Sequence, residues 1–193
     1  GVCVRSRDGI DIADLALQEL RHEVASVPHE GFLFTSTLAD NLRYGEPDAD
    51  TAQVESAASQ ARLADDIKGF PDGYETIVGE RGITLSGGQR QRTALGRALL
   101  VDAPVLVLDD ALASVDNNTA AAILDSIRAQ DGRTIVMISH QLSAAAACDR
   151  ILVMDNGQIV QQGHHNQLIQ VAGVYRRLWE REQAVEGLDV MAS

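Results

Sequence analysis

The sequence has little of several features that mark particular classes of protein. Its two cysteines, Cys3 and Cys148, stand far apart without metal-ligand or disulfide-framework spacing, which indicates a reducing compartment. No apolar run approaches the roughly 18 residues that a membrane-spanning helix needs, and no signal-peptide pattern is visible. Lys and Arg number 16 against 28 Asp and Glu, a net charge of −12. This acidic balance argues against a nucleic-acid partner.

What the sequence does contain is material for a core, since 45% of its residues are hydrophobic. Its 193 residues predict one domain, or a domain with a subdomain. Residues 104–109 and 134–139 form continuous apolar runs, which are typical of strands buried on both faces. Because these runs alternate with helical patterns, the second half predicts a parallel α/β sheet. The Asn156-Gly157 turn predicts a hairpin of two further strands, residues 150–155 and 158–162. Residues 41–100 instead carry mainly helical patterns and predict an all-helical insert, with a helix over residues 51–64 capped by Asp50 and a loop over residues 74–84.

The stretch with the most specific chemistry is LSGGQRQR, residues 85–92, which opens directly into a helix pattern. We expect Ser86 to cap this helix, and Gly87 and Gly88 to let its backbone approach another body closely. The unpaired N–H groups at such a helix start favour anions. LSGG alone is compatible with an ordinary glycine-rich helix start. The full octapeptide, followed by an apolar strand that ends in Asp109-Asp110, favours a functional motif.

In this order and spacing, residues 1–181 resemble the nucleotide-binding domain of an ABC transporter of the exporter type. Residues 85–89 resemble the ABC signature, and residues 105–110 resemble the Walker B strand with the acidic residue that follows it. The remaining matches are the D-loop (residues 113–116), the switch histidine (His140), the Q-loop position (His29) and the segment that exporters place against the membrane domain's coupling helices (residues 78–82).

This resemblance implies an α/β fold with the parallel sheet of a P-loop NTPase (RecA-like) core. The core, incomplete at its N-terminus, would comprise residues 1–40 and 101–193, with a helical signature subdomain at residues 41–100. The resemblance also implies ATP and Mg²⁺ as cofactors, and ATP hydrolysis coupled to transport across a membrane. The implied partners are a second ABC nucleotide-binding domain and a transmembrane domain, with the chain at the cytoplasmic face of the inner or plasma membrane. Nothing in the sequence indicates the transported substrate.

The resemblance also implies roles for four residues around the nucleotide that this chain would bind itself. Asp109 would hold Mg²⁺, since hard cations prefer carboxylate oxygen. Asp110 stands where the family usually has the glutamate that polarises the attacking water, and its side chain is one methylene shorter. His140 would contact the γ-phosphate and position the substrate. His29 stands where the family has glutamine, so a plain exposed loop residue is an equal alternative.

A second group of residues would act across a dimer interface or on the membrane domain. Four signature residues would contact the γ-phosphate of ATP held by the opposite subunit: Ser86, Gly87, Gly88 and Gln89. Ser114 and Asp116 of the D-loop would lie in the same interface. Glu80 and Arg81 would transmit the state of the signature helix to the membrane domain, the alternative being a solvated charged loop. The adjacent His164 and His165 favour a structural role, because two neighbouring histidines chelate a metal poorly without further ligands.

The largest departure from the family is that no Gly-x-x-x-x-Gly-Lys-[Ser/Thr] motif occurs. This P-loop holds the β- and γ-phosphates, and the family places it before the point where this sequence begins. We therefore expect the 193 residues alone to bind ATP weakly or not at all, and the sheet to lack the P-loop strand. An intact signature beside altered His29 and Asp110 predicts the degenerate-site half of a heterodimer.

Two alternatives from other functional classes remain. One is a non-catalytic regulatory or interaction module, which the missing P-loop favours. The other is the C-terminal lobe of a chromosome-maintenance or DNA-repair ATPase of the same superfamily. In such ATPases a long coiled coil separates the Q-loop lobe from the signature lobe. The short insert between His29 and Leu85 has no heptads and therefore disfavours this second alternative.

Overall fold

The computed structural model describes residues 6–7, 10–14, 16, 21–79, 83–129 and 132–192. The chain divides into two compact units, Gly1–Ile138 and Ser139–Ser193. The strands of the first unit are β1 (Ser6–Arg7), β2 (Ile10–Asp11), β3 (Val24–Val27), β4 (Ser36–Thr37), β5 (Ile77–Val78), β6 (Val105–Asp109) and β7 (Thr134–Ile138). Its α-helices are α1 (Leu38–Arg43), α2 (Thr51–Gln60), α3 (Ala64–Lys68), α4 (Gly87–Leu100) and α5 (Asn117–Arg128). Short 3₁₀ helices cover Ile12–Asp14 and Gly73–Glu75.

The first unit is organised on a three-stranded parallel sheet in the order β3-β6-β7. Val24 pairs with Val105, which in turn pairs with Thr134 at the same end of the sheet. Leu106 and Leu108 of the central strand are buried, as the apolar run predicts. The parallel α/β core expected from the sequence is therefore confirmed. All three strands point their carboxyl ends to one edge, where polar loops follow.

Local sequence signals account for most helix boundaries. Thr37, Asp50, Ser86 and Asp116 each cap the next helix with a side-chain oxygen, as expected for these residue types. Helix α2 ends at Gln60, earlier than the predicted residue 64. The reason is local, since Arg62 adopts a left-handed backbone with φ of +54° that cannot continue a right-handed helix.

A small β element that the sequence did not indicate joins the region 41–100 to the residues just before it. β4 and β5 pair antiparallel, with Ser36 opposite Val78 and Thr37 opposite Ile77. The apolar side chain of Val78 is fully buried in a cluster with Leu38, Leu42 and other residues of the helical region. This burial fixes a segment that the sequence predicted as a loop.

The second unit consists of α6 (Leu142–Ala146), β8 (Ile151–Asp155), β9 (Gln158–Gly163), α7 (His165–Leu168) and α8 (Val174–Ala192). β8 and β9 form the predicted hairpin, and Asn156 and Gly157 take the positive φ values of 48° and 77° that its tight turn requires. A small core contains Ile151, Val153, Leu168 and Tyr175. Among the described residues, no helix is both long and apolar enough to cross a membrane.

Candidate functional site

The N-terminus of α4 carries the signature residues in a tightly capped arrangement. Ser86 Oγ accepts a hydrogen bond from the Gln89 amide at 3.2 Å, and Gln89 Oε1 accepts one from the Ser86 amide at 2.9 Å. This reciprocal capping box satisfies two amides at the helix start and confirms Ser86 as the cap. Ser86 is exposed, and its hydroxyl proton still points to no acceptor among the described residues.

The two signature glycines have a reason that lies inside this chain. A Cβ on Gly88 would stand 2.8 Å from the carbonyl oxygen of Ser114, and one on Gly87 would stand 3.3 Å from the Ser114 side chain. The close approach that the sequence indicated is therefore between α4 and the chain's own D-loop. As a result, the signature and D-loop residues lie side by side on one surface.

A polar network fastens α4 to α3. Asp66 accepts from Gln89 Nε2 at 2.9 Å and forms an ion pair with Arg92 at 2.7 Å. The side chains of Asp66 and Arg92 are only 22% and 16% exposed, so the pair is partly shielded from water. Sequence reasoning missed this network, because Asp66 lies 23 residues from Gln89 and no local pattern pairs them.

Asp109 is the last residue of β6, at the carboxyl edge of the parallel sheet. Its side chain is exposed, and no described residue forms a hydrogen bond or an ion pair with its carboxylate. An exposed carboxylate at this edge suits Mg²⁺, which usually takes one or two protein carboxylates together with substrate oxygens and water. Among the described ranges, no group of three or more His, Cys, Asp or Glu residues forms a cage for a metal.

Asp110 adopts a left-handed backbone with φ of +50°, a conformation that Asp tolerates better than most residues. Its amide donates to the carbonyl of Ile138 at 2.8 Å, which ties the loop after β6 to the end of β7. The carboxylate is mostly shielded, with a side chain 15% exposed. Such backbone strain is common at functional positions, because it aims a side chain where a regular strand does not.

The structure brings His29 and Asp110 together. His29 Nδ1 lies 3.3 Å from Asp110 Oδ2, although the His29 side chain is 61% exposed. This contact is an ion pair only when the imidazole carries its second proton. The sequence singled out both residues because they replace the family's usual glutamine and glutamate, yet it did not indicate their contact.

The D-loop residues are both exposed, as their predicted interface role requires. Asp116 Oδ1 caps α5 by accepting from the Thr119 amide at 3.0 Å. Hydrogen bonds from the Thr119 backbone and side chain lower the pKa of Asp116, so it stays ionised in neutral solution. The Ser114 amide donates to Gln91 Oε1 at 2.8 Å.

Arg97 anchors the other end of α4 to an aromatic cluster formed by Phe32, Phe34 and Tyr44. Its guanidinium donates to the Asn41 carbonyl at 2.9 Å and stands 5.7 and 5.4 Å from the ring centroids of Phe34 and Tyr44. Desolvation lowers the pKa of Arg97, although the group remains charged. Phe32 and Tyr44 are 64% and 60% exposed, so the cluster presents an apolar surface. Glu80 and Arg81, the predicted coupling residues, lie outside the described residues.

His140 lies in the second unit, two residues after the end of β7, and is exposed. Helix α6 begins at Leu142, two residues after His140, and a carboxylate from far along the sequence caps it. The amides of Leu142 and Ser143 donate to the two carboxylate oxygens of Glu182 at 2.9 and 3.2 Å. Glu182 of α8 therefore caps the helix that follows His140, the predicted switch histidine. Sequence reasoning did not identify this residue.

The His164-His165 pair has a structural role in the second unit. His165 Nδ1 lies 2.8 Å from the hydroxyl of Tyr175, and its ring contacts Trp179 edge to face at 4.5 Å. Burial raises the pKa of Tyr175, which keeps its hydroxyl protonated and available for this hydrogen bond. These contacts explain the histidine through packing.

Comparison with known proteins shows what this arrangement is similar to. The family described as ABC transporter matches residues 5–113. A lipid A-core flippase described as ATP-dependent, from Chromohalobacter salexigens, is 45% identical over 172 residues, 89% of this chain and 30% of that protein. An ATM1-type heavy metal exporter from Novosphingobium aromaticivorans is 42% identical over 95% of this chain and 30% of that protein.

A solved structure of a bacterial Atm1-family ABC exporter with ATP bound has the same fold. Its TM-score is 0.86 at 41% identity, over 91% of this chain and 31% of that chain. The present chain thus spans about 30% of the length of the relatives that it matches. Both the family match, which covers more than half of the sequence, and the fold agree with the motifs in residues 85–116. The chain therefore belongs to the ABC transporter family, as part of the ATP-binding domain of an exporter.

Proposed function

We propose that this chain is the part of an exporter's nucleotide-binding domain that completes an ATP site on a second such domain. The observation that carries the proposal is the contact between the signature and the D-loop. Gly88 lies against the Ser114 carbonyl, and both segments lie on one surface beside the exposed Ser86 hydroxyl. Such a surface offers Ser86, the α4 amides and Asp116 together to a nucleotide and to the domain that holds it.

In the signature, Ser86 and the two glycines bind the γ-phosphate of ATP held by the partner domain. Gln89 contributes there by holding Ser86 in place, because its amide donates to Ser86 Oγ and its side chain binds the Ser86 amide and Asp66. The positive end of the α4 dipole favours the phosphate charge. Ser86 donates its hydroxyl proton outward to a phosphate oxygen, while Oγ keeps accepting from the Gln89 amide.

For the nucleotide that this chain's own domain would bind, Asp109 would hold Mg²⁺ and Asp110 would accept the proton of the attacking water. Mg²⁺, when bound, neutralises charge on the phosphates. Asp110 is a weak base for geometric reasons, since its carboxylate is one methylene short and one oxygen faces His29 at 3.3 Å. A displacement of about 1 Å in a catalytic group can cost roughly 10²-fold in rate. His29 restrains Asp110, and His140 contacts the γ-phosphate.

This imbalance favours a heterodimer in which the present chain supplies the slower hydrolytic site. The partner's site then receives an intact signature from this chain and performs most of the turnover. Arg97 of α4 contacts an exposed apolar cluster around Phe32 and Tyr44. This cluster supports docking of a transmembrane domain. In this proposal, Glu80 and Arg81 pass the state of α4 to that domain, at the cytoplasmic face of the membrane.

Two binding measurements test this function. Calorimetry with the isolated 193 residues should show weak or no binding of Mg-ATP, because the phosphates have no P-loop to hold them. The full transporter, reconstituted with its partner, should hydrolyse ATP and move a substrate. Tight Mg-dependent binding by the isolated chain contradicts the division of labour. A full transporter without ATP hydrolysis supports the non-catalytic alternative instead.

A further inference from the structure

The polar side chain of Gln91 is buried in the interior face of α4. The residue is 5% exposed and follows the signature by two positions, among the apolar residues of the same helix. A buried amide needs partners, and Gln91 finds them in two other segments. Nε2 donates to the carbonyl of His29 at 3.3 Å, and Oε1 accepts from the amide of Ser114 at 2.8 Å. One side chain thus joins α4, the loop after β3 and the D-loop.

Each partner of Gln91 contacts a different functional group. On one side, His29 faces Asp110 at 3.3 Å. On the other, the carbonyl of Ser114 would lie 2.8 Å from a Cβ on Gly88. The contacts therefore run without a gap from Asp110 through His29, Gln91 and Ser114 to the signature glycines. In the proposed function, Asp110 and His29 serve the nucleotide of this chain's own domain. Ser114 and the signature glycines face the nucleotide of a partner.

The surrounding backbone leaves little room for these segments to move independently. A Cβ on Gly31, two residues after His29, would stand 2.8 Å from the Arg90 carbonyl of α4. At this distance, a shift of α4 displaces the His29 loop, or the reverse. Gln91 adds direction to this contact, since its two ends form hydrogen bonds to specific backbone groups on opposite sides.

We propose that Gln91 is a positioning residue that couples the His29–Asp110 pair to the signature surface offered to the partner's nucleotide. The inference rests on the proposed function and extends it from two separate sites to one connected device. Because both hydrogen bonds of Gln91 are shielded from water, a displaced segment either drags the amide along or leaves a buried polar group unpaired. Coupling of this kind typically changes affinities or rates about 5- to 150-fold.

The test uses a double-mutant cycle in the full transporter with its partner. Steady-state ATP hydrolysis by that assembly reports mainly the nucleotide held by the partner, because Asp110 is a weak base. Gln91→Met conserves volume but removes both hydrogen bonds. His29→Ala removes the contact with Asp110 and keeps the backbone carbonyl. Gln53→Met is the matched control. It removes the hydrogen bond that Gln53 Oε1 accepts from the Asp50 amide at 2.8 Å, but Gln53 lies in α2 rather than in α4.

The expected result is non-additivity. Gln91→Met should lower kcat about tenfold and leave the KM for ATP within about twofold, in the range of such couplings. His29→Ala should lower kcat about threefold, although His29 does not face the partner's nucleotide, because the coupling reaches the signature. The double variant should be no slower than Gln91→Met alone. Gln53→Met should leave kcat within about twofold, and its effect should add to that of His29→Ala.

Three results would overturn the proposal. The first is a His29→Ala effect that is the same with and without Gln91. The second is a Gln91→Met effect on kcat no larger than that of Gln53→Met. The third is a failure of both Gln91→Met and Gln91→Asn to fold into an assembled transporter, because Gln91 is then structural and the coupling role fails. Gln91→Asn keeps the amide but is too short to span both partners, so it should match Gln91→Met. A wild-type transporter without ATP hydrolysis contradicts the proposed function itself, which separates the two failures.

Discussion

The N-terminus of α4 and the carboxyl end of β6 differ in how firmly the structure holds their functional side chains. At α4, Ser86 and Gln89 cap each other, Asp66 and Arg92 pair beside them, and the D-loop lies against the glycines. At β6, Asp109 projects into solvent and Asp110 faces a largely exposed His29. The start of α4 is therefore held by side-chain hydrogen bonds and a partly shielded ion pair, whereas the described side-chain contact at the end of β6 is the 3.3 Å approach of exposed His29 to Asp110.

We expect the largest effect on ATP hydrolysis when the contact between α4 and the D-loop is disturbed. Gly88→Ala places a Cβ 2.8 Å from the Ser114 carbonyl, where a backbone group cannot yield easily. We expect a loss of about 10²-fold in ATP hydrolysis by the full transporter, the cost of displacing a catalytic element by about 1 Å. Gly87→Ala is the matched control, because its Cβ would stand 3.3 Å from a side chain that can adjust. Equal losses in the two variants contradict the contact as the cause.

The network under the signature should matter next, and for stability. Asp66→Ala leaves Arg92 and Gln89 without their shielded partner and should lower the free energy of unfolding by about 2 kcal/mol. The neighbouring Asp65→Ala removes an ion pair to Lys68 from a side chain that is 92% exposed. It should leave the free energy of unfolding nearly unchanged, because ion pairs in water contribute little. Denaturant unfolding of the full protein measures both, and similar values contradict a special role for Asp66.

At the hydrolytic end, a substitution should improve activity. Asp110→Glu restores the missing methylene and should raise the rate of this chain's own site about tenfold, a part of the roughly 10²-fold that misplacement can cost. The measurement needs a partner whose own catalytic carboxylate has been neutralised, so that only this site turns over. Adding His29→Gln should change the gain non-additively, since the two side chains touch. An unchanged rate contradicts Asp110 as the limiting group.

The smallest effect concerns the switch histidine. Glu182→Ala removes the acceptor of the Leu142 and Ser143 amides. With the partner's catalytic carboxylate neutralised, it should lower the rate of this chain's own site about threefold, a small part of the roughly 10²-fold that a misplaced catalytic group can cost. Glu180→Ala is its control on the same helix, because Glu180 pairs only with exposed Arg176 among the described residues. Steady-state kinetics of both variants provides the check. A Glu182→Ala variant as active as Glu180→Ala contradicts this route of control over His140.

Sequence reasoning predicted well where the signal is local. The capping oxygens of Ser86 and Asp50, and the Asn156-Gly157 turn, follow from the short-range chemistry of these residue types. The buried parallel strands follow from their uninterrupted apolar runs. The resemblance to the ABC family was confirmed by comparison. The roles of the individual site residues stay predictions.

Long-range pairings escaped the sequence because nothing local specifies them. Gln91 and His29 are 62 positions apart, and Asp66 lies 26 positions before Arg92. A signal for Gln91 did exist, since an amide on the apolar face of a helix must find buried partners. The β4–β5 ladder was missed because two-residue strands carry no detectable alternation. The left-handed backbone of Asp110 has no sequence signature beyond Asp's tolerance of it.

The most direct measurement compares two variants in the full transporter, Asp110→Asn and Gly88→Ala, by steady-state ATP hydrolysis. If this chain offers a preorganised signature and a weak hydrolytic pair, Asp110→Asn should lower turnover by less than about twofold, while Gly88→Ala lowers it about 10²-fold. The opposite order, or equal losses in both variants, would contradict the asymmetry between the two ends of the site.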